Sequence, residues 1–258
     1  MDIDAVAEII REVAVAEILP RFGTLQAHEI RSKTHPGDLV TEADLQTEFQ
    51  LTRRLTDLLP GSVVVGEESV HHDRRVLERL TEEAPVWVLD PVDGTGNFAH
   101  GRTSFGVIVS LVTRKEIVAG WIHDPIKNIT LRTEVGAGVW RGTDRLRLPP
   151  PPPLSQMVAT LGNRESKTVG LAIHHLVRNA SAAQDYLGLV QGEVHFSHYI
   201  HLMPWDHAAG VLMHAEAGGY SAMVGGEPYQ PLPNDGAILL APDKPTWDVL
   251  LPLVTSPA

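Results

Sequence analysis

Two aspartates, Asp90 and Asp93, stand three residues apart in the segment WVLDPVDGTGNFAHG, directly after a short apolar run. Two carboxylates this close repel each other, and burying either one without a partner costs several kcal/mol or forces it to take up a proton. The carbonyl of Val92 lies between them, so both side chains and this carbonyl can face one point. Three hard oxygen ligands suit Mg²⁺ or Ca²⁺. The alternative is that the two aspartates only cap the DPVDG turn.

Further acidic residues occur where predicted helices and strands begin or end. Asp44 fits a capping box that begins at Thr41, and Asp206 fits the N-cap of a later helix. Glu67 and Glu68 follow an apolar strand and fit a solvated strand end. Each residue alone has this ordinary structural explanation. Together the acids predict a pocket of carboxylates, which is stable only when cations fill it.

The turn Gly94-Thr95-Gly96 follows the two aspartates directly. Glycines in such a turn let backbone N–H groups point outward at the start of a helical turn, which forms an anion site that suits phosphate. By itself this signal is weak, but beside a carboxylate pocket it indicates a phosphate bridged by metal ions. The turn is not a Walker-type loop, because the pattern G-x-x-x-x-G-K-[ST] is absent from the sequence.

The spacing of apolar residues predicts the elements that must position this chemistry. It favours an amphipathic helix from Ile3 to near Pro20 and a second helix from Thr41 to the Pro60-Gly61 turn. Short β-branched runs separated by turn residues then predict strands that form an antiparallel meander. The first half is therefore predicted as two helices on a sheet.

The second half of the chain alternates strand and helix. It follows the five prolines Pro149 to Pro153, which predict a stiff extended connector, with a ligand for a proline-recognition domain as the alternative. Helices are predicted near residues 164–177 and 182–190. A further helix is predicted in WDHAAGVLMHAEAGG, opened by Asp206 and closed by the two glycines.

The bulk composition excludes several classes of function. The chain has 258 residues, 43% of them hydrophobic, and a net charge of -11, which argues against non-specific binding to nucleic acid or to an anionic membrane. Cysteine is absent, which excludes disulfides, thiolate zinc sites and a cysteine nucleophile. No apolar run reaches roughly 18 residues and the first 20 residues lack a basic flank, so we expect a soluble cytoplasmic protein.

Four segments, GDLVTEAD, GEES, WVLDPVDGTGNFAHG and PWDHAAGVLMHAEAGG, resemble the motif set of the inositol monophosphatase family of magnesium-dependent, lithium-sensitive phosphatases. They occur in the order and spacing of that family between Lys33 and Gly219. The resemblance implies an α+β fold, a layered αβαβα sandwich with an antiparallel sheet in the N-terminal half and a mixed α/β C-terminal half. It also implies phosphomonoester hydrolysis, two or three Mg²⁺ ions and a homodimer.

The resemblance implies a role for each matched residue. The implied ligands of the first magnesium are Glu67, Asp90 and the Val92 carbonyl, and those of the second are Asp90, Asp93 and Asp206. Glu68 resembles a supporting acid beside the first site. The implied catalytic residues are Glu67 and the pair Asp44 and Thr95, which orients or deprotonates the attacking water. The implied phosphate-binding amides are those of Gly94 and Thr95, and Lys33 matches a loop lysine that helps to close the site.

In this interpretation residues 1–148 form an N-terminal lobe with the metal and phosphate motifs. Residues 154–258 form a C-terminal lobe with the last metal ligand and the substrate side, and residues 149–153 connect the two lobes into one catalytic unit.

The sequence departs from the family pattern mainly on the substrate side. Tyr199 stands where inositol-specific members carry a glutamate, and Ala180, Ser181 and Ala182 stand where they carry Gly-Thr/Ser-Ala. These departures weigh against inositol 1-phosphate itself, and the predicted substrate is a small phosphorylated metabolite similar to it. The alternatives are histidinol phosphate, fructose 1,6-bisphosphate and 3'-phosphoadenosine 5'-phosphate.

Two interpretations without catalysis are alternatives to a phosphatase. The first is an idle relative that acts as a regulatory binding partner, which would be expected to lose a metal ligand or the pair Asp44 and Thr95, and neither is lost. The second is a structural cation-binding protein, in which Thr95 and the phosphate turn would have no purpose.

The segment HFSHYIHLMPWDH is rich in histidine, at His195, His198, His201 and His207. A zinc site is one interpretation, but on a strand this spacing alternates between the two faces and the side chains cannot converge simply. A histidine near the pocket mouth that selects a particular substrate is a second interpretation. Ordinary scattered histidines are the default.

Overall fold

The computed structural model of the protein describes residues 2–26, 29–33, 39–161 and 167–255. Gly37 and Asp38 of the segment GDLVTEAD lie outside these ranges. The same holds for residues 164–166, where the sequence predicts the start of a helix.

The helices of the described ranges are α1 (Ile3–Val13), α2 (Glu42–Leu58), α3 (Glu67–His72), α4 (Thr95–Ala99), α5 (Lys167–Ala172), α6 (Ala182–Gln191), α7 (Pro204–Glu216) and α8 (Lys244–Thr255). The strands are β1 (Ile30–Ser32), β2 (Leu39–Thr41), β3 (Val63–Gly66), β4 (Val86–Asp93), β5 (Gly106–Thr113), β6 (Glu116–Asp124), β7 (Ile129–Glu134), β8 (Gly138–Arg141), β9 (Asp144–Leu146), β10 (Val158–Leu161), β11 (His175–Val177), β12 (Phe196–Leu202), β13 (Tyr220–Met223) and β14 (Asn234–Ala241). Helix α1 continues as a π-helical turn over Ala14–Ile18, so its helical path ends close to the predicted position.

The strands form two large sheets. The seven-stranded sheet has the order β3-β4-β5-β6-β7-β8-β9, in which β3 and β4 are parallel and each later pair is antiparallel. The five-stranded sheet has the order β11-β10-β12-β14-β13 and is mixed, because β10 is parallel to β11 and β12 whereas β14 is antiparallel to β12 and β13. A small antiparallel pair, β1 and β2, precedes α2.

Helices cover and separate these sheets. Helices α1 and α2 bury their apolar faces against the seven-stranded sheet, in a core that includes Leu51, Trp87 and Trp121. Helices α6 and α7 lie between the two sheets, where Tyr186 and Met213 pack into one apolar cluster with residues of both. Helix α8 packs on β14, and with α5 it covers the remaining face of the five-stranded sheet. The layered αβαβα sandwich is thus confirmed.

Three local predictions are corrected. The helix predicted near 164–177 ends at Ala172, and His175–Val177 form β11 because they pair in parallel with β10. Helix α7 does not open at Asp206: Met203 is the N-cap and Pro204 takes the first helical position, which suits its fixed φ. Glu67 does not continue the strand before it but begins α3. Within the described ranges, none of the helices has both the length and the apolarity needed to span a bilayer.

Candidate active site

The candidate site lies at the edge of the seven-stranded sheet where the parallel strands β3 and β4 end. Parallel strands end at the same edge, so Glu67, the first residue after β3, comes close to the end of β4. The pairing of β4 with β5 is interrupted between Asp90 and Asp93. An irregularity of this kind changes the direction in which side chains point. Here it allows the carboxylates of both aspartates to face the same site.

The first turn of α7 brings Asp206 to the same place. One oxygen of each of Asp90, Asp93 and Asp206 lies within 4.8 Å of the oxygens of the other two. Asp206 is far from Asp90 and Asp93 in sequence, and it is the packing of α7 against the seven-stranded sheet that brings it to them. The three carboxylates are called the acidic cluster below.

The acidic cluster has the donor set of a divalent-cation site. Asp90 Oδ1 is buried, and no atom among the described residues makes a hydrogen bond to it. Burial, reinforced by the nearby charge of Glu67, raises the pKa of Asp90 and of Asp206 well above the ordinary range. Burying a carboxylate oxygen without a hydrogen bond, close to two more carboxylates, costs free energy unless a cation binds to it. Hard oxygen ligands of this kind fit Mg²⁺.

Lys33 lies against the two glutamates at the start of α3. Its Nζ is 2.7 Å from Glu67 Oε1 and 2.6 Å from Glu68 Oε1, and only 3% of the lysine side chain is exposed. Burial alone would lower the pKa of Lys33, but the charges and hydrogen bonds of the two glutamates outweigh it and raise that pKa. Burial, with the charge of Glu67, raises the pKa of Glu68 to about 8. Lys33 is therefore the counterion of these two acids.

Glu48, which was not predicted from the sequence, anchors this part of the site. Glu48 Oε2 accepts a hydrogen bond from the Glu68 amide at 2.9 Å, and Oε1 accepts one from the Ser69 amide at 2.8 Å. Gly66 has no room for a Cβ, because the Glu48 carboxyl group packs against it. Glu48 follows Asp44 by four residues and both are buried on α2, so they share one helix face. That spacing was the available signal.

Asp44 connects α2 to the turn after β4. Its Oδ2 accepts hydrogen bonds from the Thr41 amide at 2.7 Å and from the Thr41 hydroxyl at 2.5 Å, so the capping box is present. Its Oδ1 accepts a hydrogen bond from the Thr95 hydroxyl at 3.0 Å, and that hydroxyl also lies 3.0 Å from the Val92 carbonyl oxygen. Burial raises the pKa of Asp44 to about 6. One carboxylate therefore caps its helix and contacts Thr95.

The turn at Gly94 requires glycine. Its φ is +86°, and a Cβ at this position would lie 2.9 Å from the Ser104 backbone oxygen. Asn97, in the helical turn that follows, donates through Nδ2 to the carbonyl of Ser104 at 2.7 Å and to that of Asn179 at 2.8 Å. Asn97, like Glu48, was not predicted from the sequence. It holds the turn against the segment that leads into α6.

Asp93 joins the acidic cluster to the N-terminus of α6. Its Oδ1 accepts a hydrogen bond from the Ala182 amide at 3.0 Å, and its Oδ2 accepts one from the Ala183 amide at 2.7 Å and another from the Ser181 hydroxyl. Ser181 is the N-cap of α6. Burial raises the pKa of Asp93 to about 6, although these hydrogen bonds act in the opposite direction. A helix N-terminus stabilises such a carboxylate.

A cavity of about 510 Å³ opens beside the acidic cluster. Asp93 and Asp206 form part of its wall, as do the four residues predicted on the substrate side, Ala180, Ser181, Ala182 and Tyr199. Tyr199 is 7% exposed and donates a hydrogen bond to Asp185 Oδ2 at 2.9 Å. Asp185 also lines the cavity and was not singled out in the sequence.

The histidine-rich segment does not converge. His195 Nδ1 accepts a hydrogen bond from the Val158 amide at 2.9 Å, whereas His198 is buried in β12. His201 is exposed at an irregularity of β12 with φ +58°, and it lines the cavity together with His207. In the part of the chain that the structure describes, the group of side chains that could hold a metal contains no histidine. The zinc interpretation thus finds no support there.

Comparisons with known proteins point to one family over almost the whole chain. The sequence model of the inositol monophosphatase family matches residues 2–254. The inositol-1-monophosphatase of Caulobacter vibrioides is 32% identical over 212 residues, which cover 77% of this chain and 80% of the relative.

Two solved structures have the same fold. An IMPase of Thermotoga maritima superposes with a TM-score of 0.85 at 24% identity, covering 98% of this chain and 97% of its own. A structure described as IMPase/NADP phosphatase complexed with Mg²⁺ and phosphate superposes with a TM-score of 0.83 at 17% identity, covering 99% and 94%.

Proposed function

Because the chain belongs to the inositol monophosphatase family of phosphatases, we propose that it is a Mg²⁺-dependent phosphomonoesterase acting on a small phosphorylated metabolite similar to inositol 1-phosphate. The observation that carries the proposal is the acidic cluster, in which Asp90 Oδ1 receives no hydrogen bond from the described residues, with the hydrogen-bonded pair Asp44 and Thr95 in the adjoining turn. Mg²⁺ and phosphate in a protein of the same fold support the choice of metal.

The residues that would hold the ions divide into two sets that share Asp90. Glu67, Asp90 and the Val92 carbonyl form the first, and Asp90, Asp93 and Asp206 form the second. When bound, Mg²⁺ neutralises phosphoryl oxygens, makes water a better nucleophile near neutral pH and stabilises the leaving alkoxide. Two or three ions are proposed.

The residues of the chain itself supply position and proton transfer. The Thr95 hydroxyl has one proton and two acceptors, Asp44 Oδ1 and the Val92 carbonyl, so its oxygen is left to accept a hydrogen bond from the attacking water. Asp44 takes the proton that this water loses, directly or through Thr95. The amides of Gly94 and Thr95 bind the phosphoryl oxygens at the start of α4. Lys33 is proposed to help close the site.

The alternatives without catalysis are less favourable. A binding partner without activity has no use for a buried Asp44 held towards Thr95 by the Thr41 cap. A purely structural cation site leaves the cavity beside the acidic cluster unexplained. A cytoplasmic location and a homodimer complete the proposal, and both rest on the interpretation of the sequence.

Phosphate release from a panel of esters tests the proposed function. The panel contains inositol 1-phosphate, histidinol phosphate, fructose 1,6-bisphosphate, 3'-phosphoadenosine 5'-phosphate and p-nitrophenyl phosphate. We expect turnover of at least one ester with Mg²⁺, little in EDTA, and inhibition by added lithium. Equal turnover in EDTA would contradict the metal-dependent mechanism. If a folded, Mg²⁺-loaded sample released no phosphate from any ester of the panel, the result would favour the binding-partner alternative.

A further inference from the structure

We propose that residues 147–153, with the sequence RLPPPPP, form a docking site for another protein, a domain with an aromatic-lined groove and an acidic pocket. These residues are called the proline strap below. The chemistry of such a partner is that of an SH3 domain. The inference goes beyond the proposed function, because it concerns a surface that lies away from the acidic cluster and its cavity.

The proline strap has the extended conformation of a polyproline helix. Each proline ring fixes its own φ at about −65°, and each residue before a proline is restricted to extended values of ψ. Pro153, where the run ends, has φ −53° and ψ 146°. A polyproline helix has about three residues per turn, so residues three positions apart share one ridge. The strap therefore presents three ridges whose geometry is fixed before any partner binds.

One ridge of the proline strap, called the outer ridge below, faces solvent along its whole length. It consists of Arg147, Pro150 and Pro153, all of which are exposed. No described residue makes a hydrogen bond or an ion pair with the Arg147 guanidinium. Pro149 and Pro151 on the two other ridges are also exposed. The outer ridge thus has the pattern Arg-x-x-Pro-x-x-Pro, with one available cation followed by two proline rings.

Contacts with the rest of the protein hold the proline strap from its inner side. The Leu148 amide donates a hydrogen bond to the Ala217 carbonyl at 2.9 Å. The Pro149 ring packs against Gly192, where a Cβ would lie 3.1 Å from the proline Cγ, and Pro152 is half-buried. These contacts order the strap and leave its outer ridge uncovered. A partner therefore does not have to order it, which lowers the entropic cost of binding.

The proline strap lies at the ends of α6 and α7 that point away from the acidic cluster. Gly192 is the C-cap of α6, and Ala217 is the C-cap of α7. The opposite ends of these helices hold Asp93 and contain Asp206. Helices of 10 and 13 residues are about 15 and 20 Å long. A domain docked on the outer ridge therefore leaves the cavity beside the acidic cluster open.

The chemistry of the outer ridge defines the partner. Proline rings pack on aromatic side chains, and an exposed guanidinium binds carboxylates. Prolines have no N–H group, so this backbone only accepts hydrogen bonds, which suits the indole and phenol donors of an aromatic groove. Arg141 and Arg145, just before the strap, are exposed as well. They concentrate positive charge locally in a chain of net charge -11, and this charge favours an acidic pocket.

A second copy of this chain does not offer an aromatic groove. Every phenylalanine, tyrosine and tryptophan lies within the described ranges, and among them only Phe49 is exposed. A groove for proline rings needs several aromatic side chains next to one another. The partner is therefore a different protein, and docking would place the phosphatase beside it with the active site still accessible.

Titration of an isotope-labelled SH3 domain with the full chain tests the inference by NMR. The probe is an SH3 domain that binds peptides of the pattern Arg-x-x-Pro-x-x-Pro, and one such peptide is the positive control. We expect chemical-shift changes in the aromatic groove of the probe and a Kd on the order of 100 µM or tighter. The peptide should compete with the full chain for the probe. Phosphate release should be unchanged at saturating probe.

Two variants of the outer ridge should weaken docking. The double variant Pro150→Ala/Pro153→Ala removes both rings that pack in the groove. Arg147→Glu replaces the cation that binds the acidic pocket by an anion. Each variant should raise the Kd for the probe by about 10-fold or more, the loss expected for one charge-assisted hydrogen bond or for two proline contacts.

Matched controls make the same chemical changes elsewhere on the surface. Pro228→Ala/Pro233→Ala removes two exposed prolines outside the proline strap. Arg114→Glu reverses the charge of an exposed arginine in the turn between β5 and β6. Both controls should keep the Kd of the unmodified protein within about 2-fold.

The possible outcomes are distinct. A probe that binds its peptide but not the full chain at about 1 mM would overturn the inference, as would equal binding by the outer-ridge variants. Sedimentation of the chain alone tests the other occupant: a dimer that is lost in Pro150→Ala/Pro153→Ala would assign the strap to a second copy and overturn it too. Thermal melts check folding. If the double variant does not fold, Arg147→Glu decides the question, because its side chain is exposed.

Discussion

The hydroxyl of Thr95 donates a hydrogen bond to Asp44 Oδ1 across 3.0 Å, although the two residues are 51 positions apart in the chain. The other Asp44 oxygen is held by the amide and hydroxyl of Thr41 at the start of α2. The first turn of one helix and the turn after β4 thus meet at a single carboxylate. This pair is the first target for mutation, because it would handle the proton of the attacking water.

Replacing Thr95 by alanine should remove most of the catalytic rate. Loss of a group that positions or transfers the proton lowers kcat by about 10²- to 10⁴-fold. Thr95→Ser keeps the hydroxyl and should retain most of the activity. Steady-state phosphate release at saturating Mg²⁺ measures both variants. Turnover by Thr95→Ala close to that of the unmodified protein would remove this pair from the mechanism.

Asp93→Asn should abolish phosphate release while leaving the fold intact. The substitution removes a charge from the acidic cluster, and its amide nitrogen cannot accept the hydrogen bonds from Ser181 and Ala183. The lost hydrogen bonds should lower the free energy of unfolding by about 1–3 kcal/mol. Phosphate release, circular dichroism and urea unfolding measure these effects.

Asp124→Asn provides the control for this variant. Asp124 is also a buried aspartate that contacts α6, through Gln184 Nε2 at 3.0 Å, but it lies outside the acidic cluster. The Asp124→Asn variant should therefore release phosphate at the rate of the unmodified protein. Near-normal turnover by Asp93→Asn would exclude the assignment of two metal sites that share Asp90.

Lys33→Met should lower the free energy of unfolding of the metal-free protein and raise its affinity for Mg²⁺. Without the ammonium, Glu67 and Glu68 lose their counterion, and breaking a buried ion pair by removing one partner costs about 3–5 kcal/mol. Glu67 is 23% exposed, so we expect the lower end of this range. A bound cation no longer has to displace the lysine, and the Kd for Mg²⁺ should fall several-fold.

Urea unfolding in EDTA and titration calorimetry with Mg²⁺ measure the two effects of Lys33→Met. Lys127→Met is the control, because Lys127 is an exposed lysine that lies 3.5 Å from a different carboxylate, that of Asp124. A variant that binds Mg²⁺ more weakly than the unmodified protein would show that Lys33 supports the bound ion instead of competing with it.

The stabilisation by Mg²⁺ should be larger at pH 8 than at pH 6. In the metal-free fold the pKa values of Asp44 and Glu68 are about 6 and about 8, above their ordinary 3.8 and 4.5. Groups with a raised pKa bind more protons in the folded state, so their stabilising contribution is complete below the ordinary pKa and is lost as the pH rises through the raised one. Mg²⁺ needs the ionised carboxylates, and protons compete with it at pH 6.

The difference in Tm between Mg²⁺ and EDTA, measured at both pH values, tests this dependence. Buried His123 and His207, whose pKa values burial lowers to about 4 and about 3, act with the opposite sign. Their contribution is present with and without Mg²⁺ and cancels in the difference. An equal increase in Tm at pH 6 and pH 8 would mean that these carboxylates do not sense the ion.

Local sequence was sufficient for the features that depend on neighbouring residues. The capping box of α2 follows from Thr41 and Asp44, which are three positions apart, and the αL turn follows from Gly94. The apolar periods predicted α1 and α2, and the motif order predicted the layered fold, which the structure and the comparisons confirm. These signals are short-range, because they depend on helical or strand periodicity and on the types of adjacent residues.

Tertiary packing decided which side chains meet. Glu48 anchors α3 across 20 positions, and Asp93 reaches the α6 amides across about 90, contacts that no local pattern encodes. The start of α7 at Pro204 and the pairing of β11 with β10 likewise depend on neighbouring layers. The sequence alone thus determined the acidic residues and the type of chemistry. The wall of Asp185 and Tyr199 exists only because the packing of α6 against β12 brings together one residue from each element.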